Sequence, residues 1–384
     1  MQCPIILNPR LEKDGKKYDS LRKNKGVFVC DDYYGQLREL FLARNPKLRG
    51  RPFEADNLAN GFIEKRAARA PIARQGRWVY FPWNGCLTHI LSKKEFYELR
   101  SARNKNLITG SEQELIKGFK VGIAGLSVGN SIALTLALEG FRSFALGDFD
   151  KISLSNLNRI RAGVQFLGVN KSEAAARQLY ETDPYVSARV FERGVRSDAD
   201  LVKFMGGLDL LVDEMDDVVI KVKLRESARR MKLPVVSVAD NCDGVIADVE
   251  RFDLERKREI FHGRLGAARV KRIGEMKFSE KMSLINDIVG AEYVTLRMKE
   301  SFLRVGRDLY GWPQLGGAAM LAGSVIAYAA KKIALGEPLR SGKYDVSLDR
   351  VFIPRYDSPV ALKRRGKETK KFLFECKKIF SGQG

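Results

Sequence analysis

Residues 121–131 read V-G-I-A-G-L-S-V-G-N-S, an apolar run that breaks into glycines around a single serine. The run predicts a buried β-strand, and the residues after it predict a helix. Two interpretations fit G-L-S-V-G at residues 125–129. It has the spacing of a nucleophile elbow, in which Ser127 attacks a substrate. It also fits a glycine-rich turn that brings the phosphates of a nucleotide to a helix N-terminus.

The residues downstream favour the glycine-rich turn. A serine hydrolase of the elbow type needs a histidine after its serine, and His262 is the only one that follows Ser127. The segment around His262, R-E-I-F-H-G-R-L-G, has no hydrolase signature. In contrast, Asp148 and Asp150 close the next predicted strand, about 20 residues after Gly125, where a carboxylate can receive ribose hydroxyls. The sequence therefore predicts a nucleotide site.

Strands and helices alternate from residue 120 onward, which predicts an α/β fold with a mainly parallel sheet flanked by helices. Continuous apolar runs predict strands at residues 119–124, 144–150, 188–193, 208–213 and 233–239. Residues 1–95 lack a strong period and predict a smaller α+β region. Within it, residues 78–83 and 86–91 predict a β-hairpin, because Asn84-Gly85 favours a tight type I′ turn.

The composition is that of a folded globular protein, with 384 residues, 45% hydrophobic and 30% charged. The longest apolar stretch, residues 318–330, is too short to span a membrane, and the first residues do not resemble a secretory signal. We therefore expect a cytoplasmic protein without a membrane partner. Five scattered cysteines without a C-x-x-C pair predict neither disulfides nor structural zinc.

The net charge of +21 makes nucleic acid, a phosphate-rich ligand or an acidic protein a candidate partner. Much of the excess lies at residues 13–25 and 363–371, near the two ends of the chain. Charge runs at such positions are more often solvated than bound to a partner.

Three further segments carry a family resemblance. They are G-D-F-D-K-I-S-L-S-N-L-N-R at residues 147–159, G-V-N-K at 168–171 and V-D-E-M-D-D at 212–217. Together with the glycine turn they resemble the ThiF/MoeB/HesA family, the bacterial relatives of ubiquitin-activating E1 enzymes. The helix predicted at 312–327, a strand near 344–352 and the segment 98–107 are also similar to family features. More narrowly, G-L-S-V-G, S-N-L-N-R-I-R-A-G-V at residues 155–164 and D-V-E-R-F-D-L at 248–254 resemble a bacterial subgroup in which the E1-like domain is joined to a nitroreductase-like domain.

The resemblance implies a Rossmann-like E1/ThiF fold and three regions. Residues 1–95 would be an accessory region for acceptor recognition, 96–354 the adenylation domain, and 355–384 a basic tail. It also implies ATP and Mg²⁺ as cofactors, and a homodimer that activates a carboxylate of a small protein, a peptide or a small acid. The product would be an acyl adenylate, with release of pyrophosphate.

Site residues follow from the same resemblance. Gly125, Ser127 and Gly129 would line the phosphates, and Asp148 and Asp150 would hold the ribose. The implied phosphate ligands are Asn156, Arg159 and Lys171. Asp216 would hold Mg²⁺, and Arg103 would reach the ATP site of the other protomer. Asp213 is either a turn residue or part of the site, and Arg103 is equally consistent with a surface charge.

The chain also departs from the family pattern. The glycine turn is one residue shorter than G-x-G-G-x-G, and Ile160 replaces a glutamine. Residues 244–316 contain no cysteine for a thioester step, which leaves Cys242 as a candidate nucleophile or a buried thiol. Two alternatives therefore stay open: a tRNA-modifying ATP-dependent dehydratase, and a Rossmann scaffold that binds NAD or FAD or has no catalytic role.

Overall fold

The computed structural model of the chain describes residues 2–276 and 278–380. The chain divides into two compact units. Unit 1 holds the residues up to 114 together with residues 177–186. Unit 2 holds residues 115–176 and the chain from residue 187 onward.

Unit 1 is built on a four-stranded sheet with the order β1-β3-β4-β2. β1 pairs antiparallel with β3, β3 antiparallel with β4, and β4 parallel with β2. The strands and helices of this part of the chain are β1 (Ile5–Leu7), α1 (Glu12–Lys23), β2 (Phe28–Cys30), α2 (Tyr33–Arg44), α3 (Pro52–Ala67), β3 (Arg77–Phe81), β4 (Cys86–Ile90), α4 (Lys93–Arg100) and α5 (Gly110–Gly118), which continues into unit 2.

The predicted hairpin is present, but its turn is wider than the sequence suggests. Phe81 pairs with Cys86, so the connection has four residues instead of two. The prediction of a two-residue type I′ turn is therefore wrong. Pro82 follows the last paired residue of β3, and it has no N–H with which to extend the ladder. Gly85 alone in this turn has a positive φ, +69°, and Asn84 accepts a hydrogen bond from the Cys86 N–H at 3.0 Å.

The hairpin aromatics belong partly to the core of unit 1. Trp78 is fully buried and stacks on the His89 ring at 4.3 Å between centroids. Tyr33 also stacks on His89, at 3.9 Å between centroids. The His89 ring nitrogens contact Asp31 and the Gln75 carbonyl, so this histidine is a satisfied core residue.

Unit 2 contains a seven-stranded sheet with the order β11-β10-β9-β8-β5-β6-β7. The strands are β5 (Lys120–Ala124), β6 (Ser143–Gly147), β7 (Ser187–Phe191), β8 (Leu210–Asp213), β9 (Val235–Asn241), β10 (Gly244–Glu250) and β11 (Gly342–Val346). β5 to β9 are all parallel, and β10 pairs antiparallel with both β9 and β11. The predicted α/β fold with a mainly parallel sheet and a smaller α+β region is confirmed.

Helices connect and flank these strands. They are α6 (Val128–Leu138), α7 (Lys171–Thr182), α8 (Asp198–Met205), α9 (Val218–Met231), α10 (Ala267–Arg272), α11 (Phe278–Val289), α12 (Leu296–Arg304), α13 (Gly316–Ala334), α14 (Leu348–Phe352) and α15 (Pro359–Phe380). Because β5, β6, β8 and β9 are parallel, their carboxyl ends meet at one edge of the sheet. That edge carries the glycine turn.

The late helix and closing strand of the family pattern are only partly as predicted. α13 packs closely on α6. Gly323 permits this close approach, since a Cβ there would lie only 2.6 Å from Thr135 Oγ1. The strand expected near residues 344–352 ends at Val346, and residues 348–352 form α14 instead. Ser347 accepts the Arg350 N–H at 3.3 Å, a cap that starts a helix and ends the strand.

The basic segment near residue 370 forms α15, which reaches Phe380. Its Phe372 and Cys376 side chains are buried beside Ala291. Within the described ranges, no helix is long and apolar enough to cross a membrane.

Candidate nucleotide-binding site

The turn after β5 requires glycine at its first position. Gly125 has φ +93°, and its N–H donates to the Gly147 carbonyl at 2.8 Å. A Cβ at this position would collide with the backbone carbonyl of Glu214, which follows β8. Only glycine combines this φ with such a close approach of two backbone segments. The turn is therefore held between the ends of β6 and β8.

Ser127 occupies the N-cap position of α6, but its hydroxyl does not cap the helix. The hydroxyl accepts a hydrogen bond from Arg159 Nε at 3.0 Å instead. Gly129 allows α6 to approach the sheet, since a Cβ there would lie 2.8 Å from Ile123 Cγ2. The first turn of α6 thus presents backbone N–H groups, without a side-chain cap, beside a guanidinium group. That combination suits an anion.

The nucleophile-elbow interpretation has no geometric support. His262 Nε2 contacts Asp248 at 2.7 Å, and its Nδ1 accepts from Arg258 at 3.1 Å. The polar partner of Ser127 is an arginine, which cannot take its proton at neutral pH.

Asp148 joins the glycine turn to the loop after β6. Its Oδ2 accepts the Leu126 N–H at 2.7 Å, and its Oδ1 accepts the Asp150 N–H at 2.8 Å. Burial raises the pKa of Asp148 above its ordinary value, although both N–H donors and the charge of Lys171 act in the opposite direction. A carboxylate has about four acceptor positions, so this bracing role leaves room for a ribose hydroxyl.

Lys171 begins α7 and forms an ion pair with Asp150, with 2.9 Å between Nζ and Oδ2. The lysine is only 8% exposed, whereas the Asp150 side chain is 51% exposed. The Lys171 N–H also donates to the Asp150 carbonyl at 2.8 Å. A buried ammonium group at a helix N-terminus opposes the helix dipole, and a ligand phosphate beside it would offset that cost.

Arg159 brings a positive charge to the glycine turn through its contact with Ser127. It also donates to Asn158 Oδ1 at 2.9 Å. Burial lowers the pKa of Arg159, and the negative charges of Asp240 and Asp216 work against that shift. Asn156 has a local role, because its Oδ1 accepts the Ser153 N–H at 3.1 Å in a capping box.

The acidic residues at the end of β8 and just after it are of two kinds. Asp213 is fully buried and paired with Arg225 and with Lys221, the latter at 3.2 Å. Burial acts to raise the pKa of Asp213, but these two cations hold it below the ordinary value. Asp216 is exposed and precedes Asp217, the N-cap of α9. Asp213 is therefore a buried ion-pair residue, whereas Asp216 is exposed.

Asp240 is a candidate site residue that the sequence analysis missed. It lies near the carboxyl end of β9, and its Oδ2 accepts from Gln314 Nε2 at 3.2 Å. Its Oδ1 is buried and has no hydrogen-bond partner in the described part of the chain. Burial raises the pKa of Asp240 to about 6, against the effects of Gln314 and Arg159. The sequence feature that could have indicated Asp240 is an aspartate near the end of an apolar strand, at the sheet edge that carries the glycine turn.

A series of hydrogen bonds links these groups. Arg159 contacts Asn158, the Asn158 side chain donates to the Gln314 carbonyl at 2.7 Å, and Gln314 donates to Asp240. A Cβ on Gly316 would lie 2.6 Å from the Asn158 carbonyl, so the start of α13 also presses on this loop. The glycine turn, the S-N-L-N-R segment, α13 and β9 therefore meet in one polar cluster.

Two other predicted residues take no part in the hydrogen bonds described above. Arg103 is exposed in a short 3₁₀ turn, Ala102–Asn104, of unit 1. Cys242 lies in the turn between β9 and β10 with φ +58°, and its Sγ is 3.1 Å from Thr295 Oγ1.

Over residues 2–276 and 278–380, no three His, Cys, Asp or Glu side chains are grouped to hold a metal by themselves. Mg²⁺ that arrives with nucleotide phosphates keeps several waters and needs only one or two carboxylates of the protein. Asp216 could supply one of them.

Comparison of the sequence with known proteins finds several relatives. An uncharacterised protein of Mycobacterium tuberculosis is 38% identical over 284 residues, which cover 74% of this chain and 39% of that protein. The Escherichia coli molybdopterin-synthase adenylyltransferase is 32% identical over 129 residues, 33% of this chain and 51% of the relative. The Bacillus subtilis tRNA threonylcarbamoyladenosine dehydratase is 22% identical over 192 residues, 48% of this chain and 76% of the relative.

The chain thus spans well under half of the mycobacterial protein and about half of the adenylyltransferase. The model of the ThiF family matches residues 100–341, which is more than half of the chain and includes every motif from the glycine turn to α13. The protein belongs to the ThiF family.

Proposed function

We propose that this protein is an ATP-dependent adenylyltransferase that activates a carboxylate. The observation that carries the proposal is the bond between Arg159 and Ser127, which fixes a guanidinium group beside the uncapped N-terminus of α6. Positive charge and backbone N–H groups at that point suit a triphosphate. The relatives named adenylyltransferase support the same reaction class.

In the proposed reaction, a substrate carboxylate oxygen attacks the α-phosphorus of ATP. The bond from the α-phosphorus to the bridging oxygen of the β-phosphate breaks, and pyrophosphate leaves with that electron pair. The products are an acyl adenylate and pyrophosphate. Such a transfer depends on positioning and on charge stabilisation more than on a dedicated base. The substrate would be the C-terminus of a protein or peptide, or a small acid.

The residues that the family motifs indicate would then have the following roles. The N–H groups between Gly125 and Gly129, with the Ser127 hydroxyl, would face the phosphates. Arg159, Lys171 and Asn156 would contact them as well. Asp148 and Asp150 would hold the ribose. Asp216 would bind Mg²⁺, which when present would offset the phosphate charge.

Several parts of the proposal concern the wider molecule. Residues 96–354 would form the adenylation domain, residues 1–95 would recognise the acceptor, and residues 355–384 would be the basic tail, whose helix α15 packs on α12 through Phe372. In a homodimer, Arg103 would serve the site of the other protomer. The reaction needs no thioester, and Cys242 has no role in it.

Product analysis tests the reaction. The protein is incubated with Mg-ATP labelled in the α- and γ-positions and a mixture of small acids and peptides. We expect AMP and pyrophosphate from the wild type, and a loss of at least about tenfold in Arg159→Gln, because a charge-assisted bond contributes about 1.5–3 kcal/mol. Arg161→Gln, two residues along the same loop, serves as the control and should retain turnover. Formation of ADP and phosphate instead would contradict attack at the α-phosphorus.

A tRNA-directed dehydratase is the second candidate. It is favoured by the net charge of +21 and by the similarity to the Bacillus subtilis enzyme. Turnover of ATP that requires tRNA, and falls steeply with salt, would favour it over a peptide or small-acid substrate.

A further inference from the structure

Helix α15 carries the densest basic sequence in the described chain. Its 22 residues contain eight lysine and arginine side chains and two glutamates, a net charge of +6 out of +21 for the protein. The helix lies beyond residue 341, where the family match ends. None of its residues takes part in the proposed adenylation, so this helix raises a separate question of function.

One face of α15 is fixed to the protein. Phe372 and Cys376 are buried, and the Phe372 ring packs edge-on against Phe302 of α12 at 5.6 Å between centroids. Lys299 of α12 donates to Thr369 Oγ1 at 2.8 Å. The helix is therefore anchored on the side of these residues, which determines the direction of its other side chains.

The opposite face is a stripe of lysines, which we name the lysine stripe. An α-helix turns by about 100° per residue. On that geometry, all members of the stripe point within about 50° of one direction, which is nearly opposite to that of Phe372. The stripe consists of Lys363, Lys367, Lys370, Phe374, Lys377 and Lys378, all exposed. It contains no acidic residue, and its aromatic member is 59% exposed.

The stripe lysines are largely uncompensated. The two glutamates of α15 face Arg364 and Lys371, at 3.7 and 3.9 Å, and both of these lie off the stripe. No acidic residue in the described ranges pairs with Lys363, Lys367, Lys370 or Lys377. Four unpaired ammonium groups in a row create a strong positive potential, which favours a polyanion as the partner.

We propose that the lysine stripe binds a single-stranded nucleic acid. From Lys363 to Lys377 it extends about 21 Å, the length of about six stacked nucleotides. The lysines would contact phosphates, and the exposed Phe374 ring in their midst would stack on a base. An anionic membrane fits less well, because a helix at a membrane surface inserts its apolar face, and that face of α15 is packed on α12.

Fluorescence anisotropy with a short labelled oligo(U) tests this binding. The variant with Lys363, Lys367, Lys370 and Lys377 all changed to Gln should bind roughly tenfold or more weakly at moderate salt. The slope of log K against log salt should fall in magnitude by about 3, since each phosphate contact on a single strand contributes about 0.7. The matched control changes Lys13, Lys17, Lys23 and Lys25 to Gln, which removes the same charge from exposed positions in unit 1.

Phe374→Ala separates stacking from charge. It should weaken oligo(U) binding about fivefold or more while leaving the salt slope unchanged. Equal weakening by the stripe and control sets would overturn the proposal, as would binding to phosphatidylserine vesicles in preference to oligo(U). All of these variants alter exposed side chains, and unchanged thermal unfolding confirms that they fold. Because ATP turnover is measured separately, failure here leaves the adenylation proposal standing.

Discussion

Arg159 and Asp240 carry opposite charges at the same edge of the sheet, yet no ion pair between them occurs among the described residues. Arg159 is held by Ser127 and Asn158, and Asp240 is held by Gln314. The buried Asp240 Oδ1 has no partner in the ranges that the structure covers, which costs stability. Such a cost is common where a ligand completes the hydrogen bonding.

Asp240 should make the protein less stable as the pH rises. Its pKa is about 6 in the folded protein and near 4 when unfolded, so the folded state holds the proton more tightly between these values. Stability should therefore fall from pH 4 to pH 6, by up to about 3 kcal/mol from this group. Asp240→Asn should be more stable than the wild type at pH 7 by up to that amount, and about equal at pH 4.

Urea unfolding at the two pH values measures this difference. The control is Asp216→Asn, an exposed aspartate at the same edge of the sheet, which should change the unfolding free energy by no more than about 0.5 kcal/mol at either pH. A destabilised Asp240→Asn at pH 7 would show that the Asp240 carboxylate is satisfied in the folded protein.

The glycine turn is the element that determines the geometry of the site. Gly125→Ala places a Cβ at φ +93° against the Glu214 carbonyl, so we expect a loss of about 3 kcal/mol or more in the free energy of unfolding. Gly168→Ala is the matched control. Gly168 has φ +80°, but a Cβ there would meet no atom within 4 Å, so its substitution should cost only about 1 kcal/mol. Equal losses in urea unfolding would contradict the close approach at Gly125.

The elements that the sequence predicts well are those with continuous apolar runs. β5, β6, β8 and β9 lie where these runs occur, because strands that are largely buried on both faces leave no polar alternation. β1 and β2 have only three residues each, too short for any period to appear. The turn at Asn84-Gly85 differs from the prediction because Pro82 ends the ladder first, and residues 348–352 differ because Ser347 starts a helix.

The residues of the candidate site that can be predicted are those in short contiguous segments of the sequence. The glycine turn itself predicts Gly125, and the resemblance to the family motifs predicts Arg159 and Lys171, since each belongs to a short contiguous segment at the carboxyl edge. Asp240 and Gln314 are 74 residues apart in the sequence, and their hydrogen bond depends on how α13 packs beside β9. No local pattern encodes that contact. The hydrogen bonds that Asp148 accepts from backbone N–H groups could not be predicted either. An acidic residue after a strand is equally consistent with binding a ligand and with holding two loops together.

The most basic segments of the chain lie outside the region that carries the proposed ATP chemistry. The family match spans residues 100–341 and includes the nucleotide cluster, whereas α15 and the basic segment 13–25 lie outside it. The net charge of +21 is therefore not a property of the proposed active site alone. In the two proposals, residues within the family match of unit 2 supply the ATP chemistry, and α15 of the same unit adds a nucleic-acid surface.

Thermal unfolding with Mg-ATP tests whether Arg159 and the glycine turn bind ATP. At about 100 times its dissociation constant, Mg-ATP should stabilise the wild type by about 2.7 kcal/mol, with a clear rise in Tm. Arg159→Gln should lose most of that rise, and Arg161→Gln should keep it. Stabilisation by NAD⁺ or FAD alone, or equal responses to Mg-ATP in both variants, would contradict the account.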